Sequence, residues 1–296
     1  MSLPSFISYL SLEKNYSMHT VKAYEKDIQA FADFCNDEYE MNVIDDVDYT
    51  IIRSWIINLV DQDISNRSIN RKIASLKAYY KFLLKLEKIN KNPLAKHKAL
   101  KTAKKIEIPF SENEMENVLF QLPFEDSFEG VRDKLVIELL YTTGIRRSEL
   151  INLKLRDLNR SQQTLKVLGK RNKERLLPLL PTTLHLLERY FEQRQDLKEI
   201  VDDEYIFLSK SGNKIYNTLV YRIINRYFSE VSSKVKKSPH ILRHTFATHL
   251  LNKGADLNSV KELLGHSSLA STQVYTHNSI AELKKVHLSA HPRSKE

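Results

Sequence analysis

Six separated residues between positions 146 and 275, Arg146, Lys170, His240, Arg243, His266 and Tyr275, are of the types needed to cut a phosphodiester with a side-chain nucleophile. Such a cut needs cations on the non-bridging oxygens, an acceptor for the nucleophile's proton and an acid for the leaving oxygen. Arg146 and Arg243 offer forks of N–H groups to the phosphate, a task that suits Arg better than Lys. Lys170 can reach the leaving 5′ oxygen, His240 and His266 can exchange protons or donate hydrogen bonds, and Tyr275 can attack. A metal centre is the competing reading, because His240 and His244 stand four apart on a helical stretch with His266 as a third ligand. It is the weaker one: position 241 is Ile, not the Glu of a zinc-protease helix, and Arg243 sets a positive charge beside the cation. No metal is expected. Tyr275 is one of 14 tyrosines, singled out by its place nine residues after His266, whereas His19, His185, His249 and His287 read as structural or solvent-facing.

The elements that position these residues follow from periodicity and caps. Pro239 suits a first helical position, and Ile241, Leu242, Phe246, Leu250 and Leu251 form the buried stripe of the helix that carries His240, Arg243 and His244. Gly254 ends that helix and Asp256 caps the next, with Leu257, Val260, Leu263 and Leu264 at helical spacing. Gly265 stops it, His266 falls in a tight joint, and Ser267 or Ser268 caps a third short helix towards Tyr275. Earlier, Ser111 to Glu114 matches a capping box ahead of a helix around Met115 to Leu122, and VRDKLVIELLYTTG is a strongly apolar helix ending at Gly144. Arg146 then lies at a helix-to-helix joint, with SELINL starting another short helix. Leu165 and Val167, then Leu176, Leu177 and Leu179, predict two strands with Gly169 to Lys173 as a hairpin turn carrying Lys170. Residues 181–195 read as a helix, EYIFLS as a short strand and LVYRIINRYFSEV as a helix.

With 296 residues, 42% of them hydrophobic and 28% charged, the chain suits two soluble globular domains. Six glycines and many Leu, Ile, Lys and Glu favour helices. The single cysteine, Cys35, excludes an internal disulfide framework and, with no secretory leader, predicts a cytoplasmic protein; no apolar run approaches the roughly 18 residues that cross a bilayer.

The net charge of +9 is unevenly spread. Residues 1–64 hold 4 Lys and Arg against 12 Asp and Glu, residues 65–105 hold 13 against one, and residues 106–296 hold 29 against 24. The middle block thus carries more than the whole excess, and a polyanion is its natural partner. In the N-terminal region Val21, Tyr24, Ile28, Phe31 and Phe34 share one helical face, residues 36–49 form an acidic connector, and Ile51, Ile52, Trp55, Ile56 and Leu59 mark another helix. A further helix buries Ile69, Ile73, Leu76, Tyr80, Leu83 and Leu84 and leaves Arg67, Arg71, Lys77, Lys81 and Lys85 on its other side. Like charges at that spacing repel unless phosphates neutralise them, which favours a helix lying along DNA over a solvated face. The domain boundary is expected near residue 105, with residues 96–109 as an extended basic linker between residues 1–95 and 110–296.

In TGIRRSEL, VLGKRNKERLLPL, SPHILRHTFATHLLNKGADLNSVKELLGHSSLASTQVYTH and the closing HPR at His291 to Arg293, the sequence resembles the tyrosine recombinases of the bacterial Xer type. The resemblance spans nearly the whole chain, since residues 1–90 also look like that family's core-binding domain. It implies a mainly α fold with a small β component: a four-helix, SAM-like core-binding bundle followed by a mixed α/β catalytic domain with an exchange helix at about 278–290. By the same resemblance Arg146, Lys170, His240, Arg243, His266 and Tyr275 correspond to the family's catalytic Arg, Lys, His, Arg, His and Tyr. Arg171 departs from the family pattern, standing where a Gly often follows the catalytic lysine, and of the adjacent Arg146 and Arg147 the one directly after Gly-Ile is taken. The implied activity is cutting and rejoining of DNA through a 3′-phosphotyrosyl link, without metal or cofactor, as in Xer-type chromosome dimer resolution. The implied partners are a double-stranded recombination site, a homo- or hetero-tetramer of recombinase protomers and a septal DNA translocase, with no membrane. A mobile-element integrase, a type IB-like topoisomerase and a non-catalytic DNA-binding regulator are the alternative functions.

Overall fold

The computed structural model describes residues 2–103, 107–169, 173–265 and 277–295. Lys170, His266 and Tyr275, together with the third short helix expected after Ser267, lie outside the described residues. The chain divides into two compact units, Met1–Lys105 and Ile106–Glu296. Among the described residues no helix is long and apolar enough to cross a membrane.

The first unit is helical: α1 (Leu3–Ser8, continued by a wider π turn, Tyr9–Glu13), α2 (Met18–Tyr39), α3 (Tyr49–Asp61) and α4 (Asn66–Lys85). Ser17 and Ser65 cap α2 and α4 by accepting the Thr20 and Ser68 N–H groups, each satisfying a donor the helix itself cannot. The periodic apolar positions meet in one core, where Phe6, Ile28, Phe31, Ile52, Ile69, Leu76, Tyr80 and Leu83 have no exposed surface. Burying each such large apolar side chain contributes roughly 1.5–3 kcal/mol. Phe6 stands edge-on to Tyr79 at 5.3 Å, and Phe31 tilts on Trp55 at 5.0 Å.

Two expectations shift here. Residues 36–39 of the supposed acidic connector belong to α2. Leu84, expected in the core, is 40% exposed, whereas Tyr79 and Phe82, which the stripe did not include, are buried. The basic segment from residue 97 to 103 forms neither helix nor strand, and it is clipped to this unit: Leu100 N–H donates to Asn70 Oδ1 (2.8 Å), and Asn70 and Asn66 donate back to Leu100 O (2.9 Å) and Lys101 O (2.8 Å).

The second unit is built round α6 (Phe128–Thr143), buried along nearly its whole length from Gly130 to Thr143. A helix buried on every side needs other elements to surround it, and its buried polar groups need partners, such as the Arg132–Asp133 pair. It is enclosed by α5 (Glu112–Glu116, continued by a π turn, Asn117–Gln121), α8 (Pro181–Gln195), α9 (Asn217–Val231) and α10 (Pro239–Asn252). The capping box forms as the spacing predicts, with Ser111 Oγ accepting Glu114 N–H (3.1 Å) and Glu114 Oε2 accepting Ser111 N–H (2.7 Å). Gly144 ends α6 at φ +59°, where a Cβ would lie 2.4 Å from the Phe246 ring. Only glycine fits both the left-handed backbone and that contact.

After the short α7 (Arg147–Leu150) comes a three-stranded antiparallel sheet, β1 (Leu158–Asn159), β2 (Thr164–Leu168) and β3 (Glu174–Pro178), with Leu165 opposite Leu177 and Val167 opposite Arg175. Its β2–β3 pair is the expected hairpin. EYIFLS, expected as a strand, is instead a buried irregular segment with isolated bridges at Tyr205 to Lys154 and Leu208 to Lys214. An apolar run signals burial, and by itself does not specify a ladder.

α11 (Leu257–Leu264) is capped by Asp256, whose Oδ1 accepts Asn258 and Ser259 N–H, and it ends at Gly265 in the left-handed region. Leu251 of α10 and Leu257 of α11 were both expected in buried stripes; they are 39% and 52% exposed. α12 (His277–Ala290) packs against α10, α11 and β3 of its own unit through Leu283, His287 and Ala290. Leu288 on the other side is exposed, and His287 is 1% exposed.

Candidate active site

α6, α7, α10 and α11 meet where Gly144 ends α6. Arg146 is the residue preceding α7, with its backbone extended at φ −74° and ψ 147°. Its N–H donates to Glu149 Oε2 (3.0 Å), its Nη1 to Glu149 Oε1 (2.7 Å) and its Nη2 to Gly265 O (3.3 Å). Arg175, pointing inward from β3, donates from Nη1 and Nη2 to the same carboxylate at 3.1 and 2.7 Å, and from Nε to Leu263 O at 3.0 Å. Arg243 is buried on α10, donating from Nη1 to Gly144 O (2.6 Å) and from Nη2 to Leu264 O (2.5 Å). The carbonyls at the C-terminal end of α11, which carry partial negative charge, are thus met by arginines from two other elements.

Two guanidinium groups, those of Arg146 and Arg175, converge here on the buried Glu149 carboxylate, and that of Arg243 lies close enough to feel all three charges. Burial lowers the Arg243 pKa to about 9, with further depression from the positive charges of Arg146 and Arg175. Burial also pushes the Glu149 carboxyl up, but hydrogen bonds and charge from Arg175, then the Arg146 backbone and side chain, outweigh it and hold the group below the ordinary carboxylate range. The cluster is left with excess positive charge, of which the Arg146 side chain, 36% exposed, is the accessible part. Excess positive charge of this kind attracts an anion.

Of the six residues singled out by type and spacing, the structure brings Arg146 and Arg243 together. His240 is exposed and turned to Glu107, with Nε2 3.3 Å from its carboxylate. Lys170, His266 and Tyr275 lie outside the described residues, but their flanks are anchored. Gly169 N–H closes on Lys173 O at 2.8 Å, Gly265 terminates α11 one residue before His266, and α12 starts two residues after Tyr275.

Glu149 and Arg175 escaped the sequence reading. Both left a signal: Glu149 stands three residues after Arg146 in a capping-box register, and Arg175 alternates with Leu177 on the buried side of β3.

In the first unit Arg67, Lys77 and Lys81 are exposed along α4. Lys85 lies 3.6 Å from Glu13 and over the Tyr9 ring. Arg71, placed on the same basic face, makes a bidentate ion pair with the buried Asp27 of α2, so part of its fork is already engaged.

The family model described as "Phage integrase family" matches residues 110–282, and "Phage integrase, N-terminal SAM-like domain" matches residues 3–87. Tyrosine recombinase XerC of Oceanobacillus iheyensis is 40% identical over 295 residues, covering 99% of this chain and 96% of that protein. Tyrosine recombinase XerC of Staphylococcus epidermidis is 39% identical over 292 residues, covering 99% and 97%. Among solved structures, XerH site-specific recombinase bound to its palindromic difH substrate, a post-cleavage complex, aligns with a TM-score of 0.72 at 22% identity, covering 92% of this chain and 80% of that one. The Tn1549 transposon integrase in complex with transposon right end DNA aligns with a TM-score of 0.72 at 21% identity, covering 97% and 99%. At those identities the two structures speak for the fold, whereas the family models and the full-length relatives speak for descent. The chain belongs to the phage integrase family and, within it, to the tyrosine recombinases of the Xer type.

Proposed function

We propose that this chain cuts and rejoins DNA at a specific recombination site, with Tyr275 as nucleophile. The observation that carries the reading is the cluster of Arg146, Arg175 and Arg243 round the single carboxylate of Glu149, a buried excess of positive charge with one guanidinium open to solvent. Arg146 and Arg243 clamp the scissile phosphate, and His240 and His266 donate hydrogen bonds or exchange protons. The Tyr275 phenol oxygen bonds to phosphorus as its proton leaves to a base, the bond to the 5′ oxygen breaks, and Lys170 protonates that oxygen. A 5′-hydroxyl from a partner strand reverses the step, so the ester energy stays in the covalent link. Residues 1–95 hold the duplex through Arg67, Arg71, Lys77, Lys81 and Lys85, residues 96–109 link them to the catalytic residues 110–296, and protomers assemble as a tetramer on the site. Resolution of chromosome dimers in the cytoplasm, with a septal DNA translocase as activating partner, is the biological role that fits Xer-type membership. Trapping covalent complexes of the wild-type protein on a library of nicked duplexes tests the chemistry and finds the target sequence. Relaxed plasmids without recombinants from two-site substrates would instead mark a topoisomerase.

Lys170→Ala slows cleavage strongly on ordinary DNA, because a 5′ alkoxide leaves poorly without an acid. A substrate with sulfur at the bridging 5′ position needs no such proton and restores the rate. A variant equally slow on both substrates reduces Lys170 to a phosphate contact.

Replacing Lys77, Lys81 and Lys85 together by Ala weakens DNA binding and flattens its salt dependence. Each phosphate contact contributes roughly −0.9 to the slope of log K against log salt, so about two to three units disappear. Binding isotherms at several salt concentrations measure this directly, and an unchanged slope returns that face of α4 to solvent.

A further inference from the structure

The C-terminal end of α6 is closed by side chains far away in sequence. α11 closes on itself, its Gly265 N–H returning to Glu262 O and Lys261 O. α6 instead receives its donors from the tail: His287 Nε2 lies 2.6 Å from Thr142 O, and His291 Nε2 lies 3.3 Å from Tyr141 O. Both carbonyls belong to the last turn, whose oxygens have no partner within the helix. The protonation of each ring follows from its neighbours. A carbonyl only accepts, so each Nε2 carries the hydrogen. His291 Nδ1 accepts Arg293 N–H at 3.2 Å, and His287 Nδ1 is buried with no hydrogen-bond partner among the described residues. Both rings are therefore neutral donors, in keeping with burial that lowers the His287 pKa to about 4.

The capped turn leads directly into the site. Gly144 O, the next carbonyl but one after Thr142, accepts from Arg243, and Arg146 follows two residues later. Tyr141 ties the same turn to a third histidine, its hydroxyl 2.9 Å from His249 Nδ1 while His249 Nε2 bonds Phe110 O. Arg293 completes the tail's attachment by donating to the buried Glu138 carboxylate at 3.2 Å.

We propose that His287 and His291 are positioning residues for strand cleavage: by capping Thr142 and Tyr141 they hold the last turn of α6 where Gly144 meets Arg243 and Arg146 faces the phosphate. The proposal rests on the phosphate-clamp reading above. What matters is one N–H at the Nε2 position of each ring, not the ring itself and not charge. A Gln amide reaches that position, a Met of similar length carries no donor, and an Asn amide falls short of the carbonyl.

The test uses the full chain and measures single-turnover covalent adduct formation on a nicked duplex, affinity for the same duplex and thermal melting. His287→Met and His291→Met form adduct about tenfold more slowly than wild type while binding DNA nearly as well, and the two Gln variants recover to within about threefold. Met variants that cleave at the wild-type rate overturn the proposal, as do Gln variants as slow as the Met ones. Cleavage that falls only in proportion to DNA affinity and folded fraction also overturns it, since that is a merely structural role. If the Met variants do not fold, the Asn and Gln variants make the same comparison of short against sufficient reach. Absence of adduct with the wild-type protein is a separate failure, of the function proposed above.

Discussion

Tyr275→Phe binds its target duplex like the wild type and forms no covalent adduct with it. The substitution removes one oxygen and keeps the ring, so any packing of the side chain survives while the atom that bonds to phosphorus is gone. The arginine cluster proposed to hold the phosphate is untouched, and so is the basic face of α4. Loss of the nucleophile cannot be offset by the remaining groups, because they stabilise a charge that now never develops. Denaturing electrophoresis after incubation with a nicked site reads the result, with a shifted protein–DNA band in the wild type and none in the variant. A shifted band that persists assigns the attack to a different side chain.

Glu149→Gln costs both stability and cleavage. The carboxylate accepts four N–H donors: the Arg146 backbone, one nitrogen of the Arg146 side chain and two of Arg175. An amide offers one accepting oxygen and turns its own N–H₂ against a guanidinium, leaving the nearly buried Arg175 without its counter-charge. Breaking a buried pair in this way costs about 3–5 kcal/mol. For a unit of this size that lowers the melting temperature by roughly 6–20 °C. Because the folded-state pKa of Glu149 lies below the ordinary carboxylate value, its contribution is fully present above the unfolded pKa and fades as pH falls through the folded one. The gap between wild type and variant therefore narrows on acidification. Cleavage falls by about 10²-fold, comparable to loss of one donor to the reacting phosphate, since Arg146 loses one of its two bonds to residue 149 and the charge that held its side chain in place. Melting within about a degree of wild type at neutral pH, less than 1 kcal/mol for a unit of this size, would show that the arginines need no shared carboxylate.

Local chemistry was legible along the chain because the residues that encode it lie within a turn or two of each other. The Ser111 to Glu114 capping box, the Asp256 cap, the Gly144 and Gly265 stops and the helix from Pro181 to Gln195 all stand where the sequence placed them. So do the hairpin strands around Leu165 and Leu177. The charge asymmetry between residues 1–64 and 65–105 is a property of composition and needs no coordinates. The types and order of Arg146, Lys170, His240, Arg243, His266 and Tyr275 were enough to point to phosphodiester chemistry and to the family.

Tertiary structure decided which of several plausible partners each group takes. Glu149 and Arg175 are 26 residues apart, and Arg175 reaches Leu263 O across 88 more; no periodicity predicts such meetings. Arg71, one basic residue in a row of five, is distinguished only because α2 brings the buried Asp27 beside it. Leu84, Leu251 and Leu257 fit their helical stripes and are nevertheless exposed, since a stripe specifies a direction and the neighbouring elements decide how wide a face they cover. From the sequence His287 read as structural or solvent-facing, and His291 only as the start of the closing HPR motif. They became structural donors only because α6 ends where the tail arrives, and a buried carbonyl without a donor costs more than a buried neutral imidazole that supplies one.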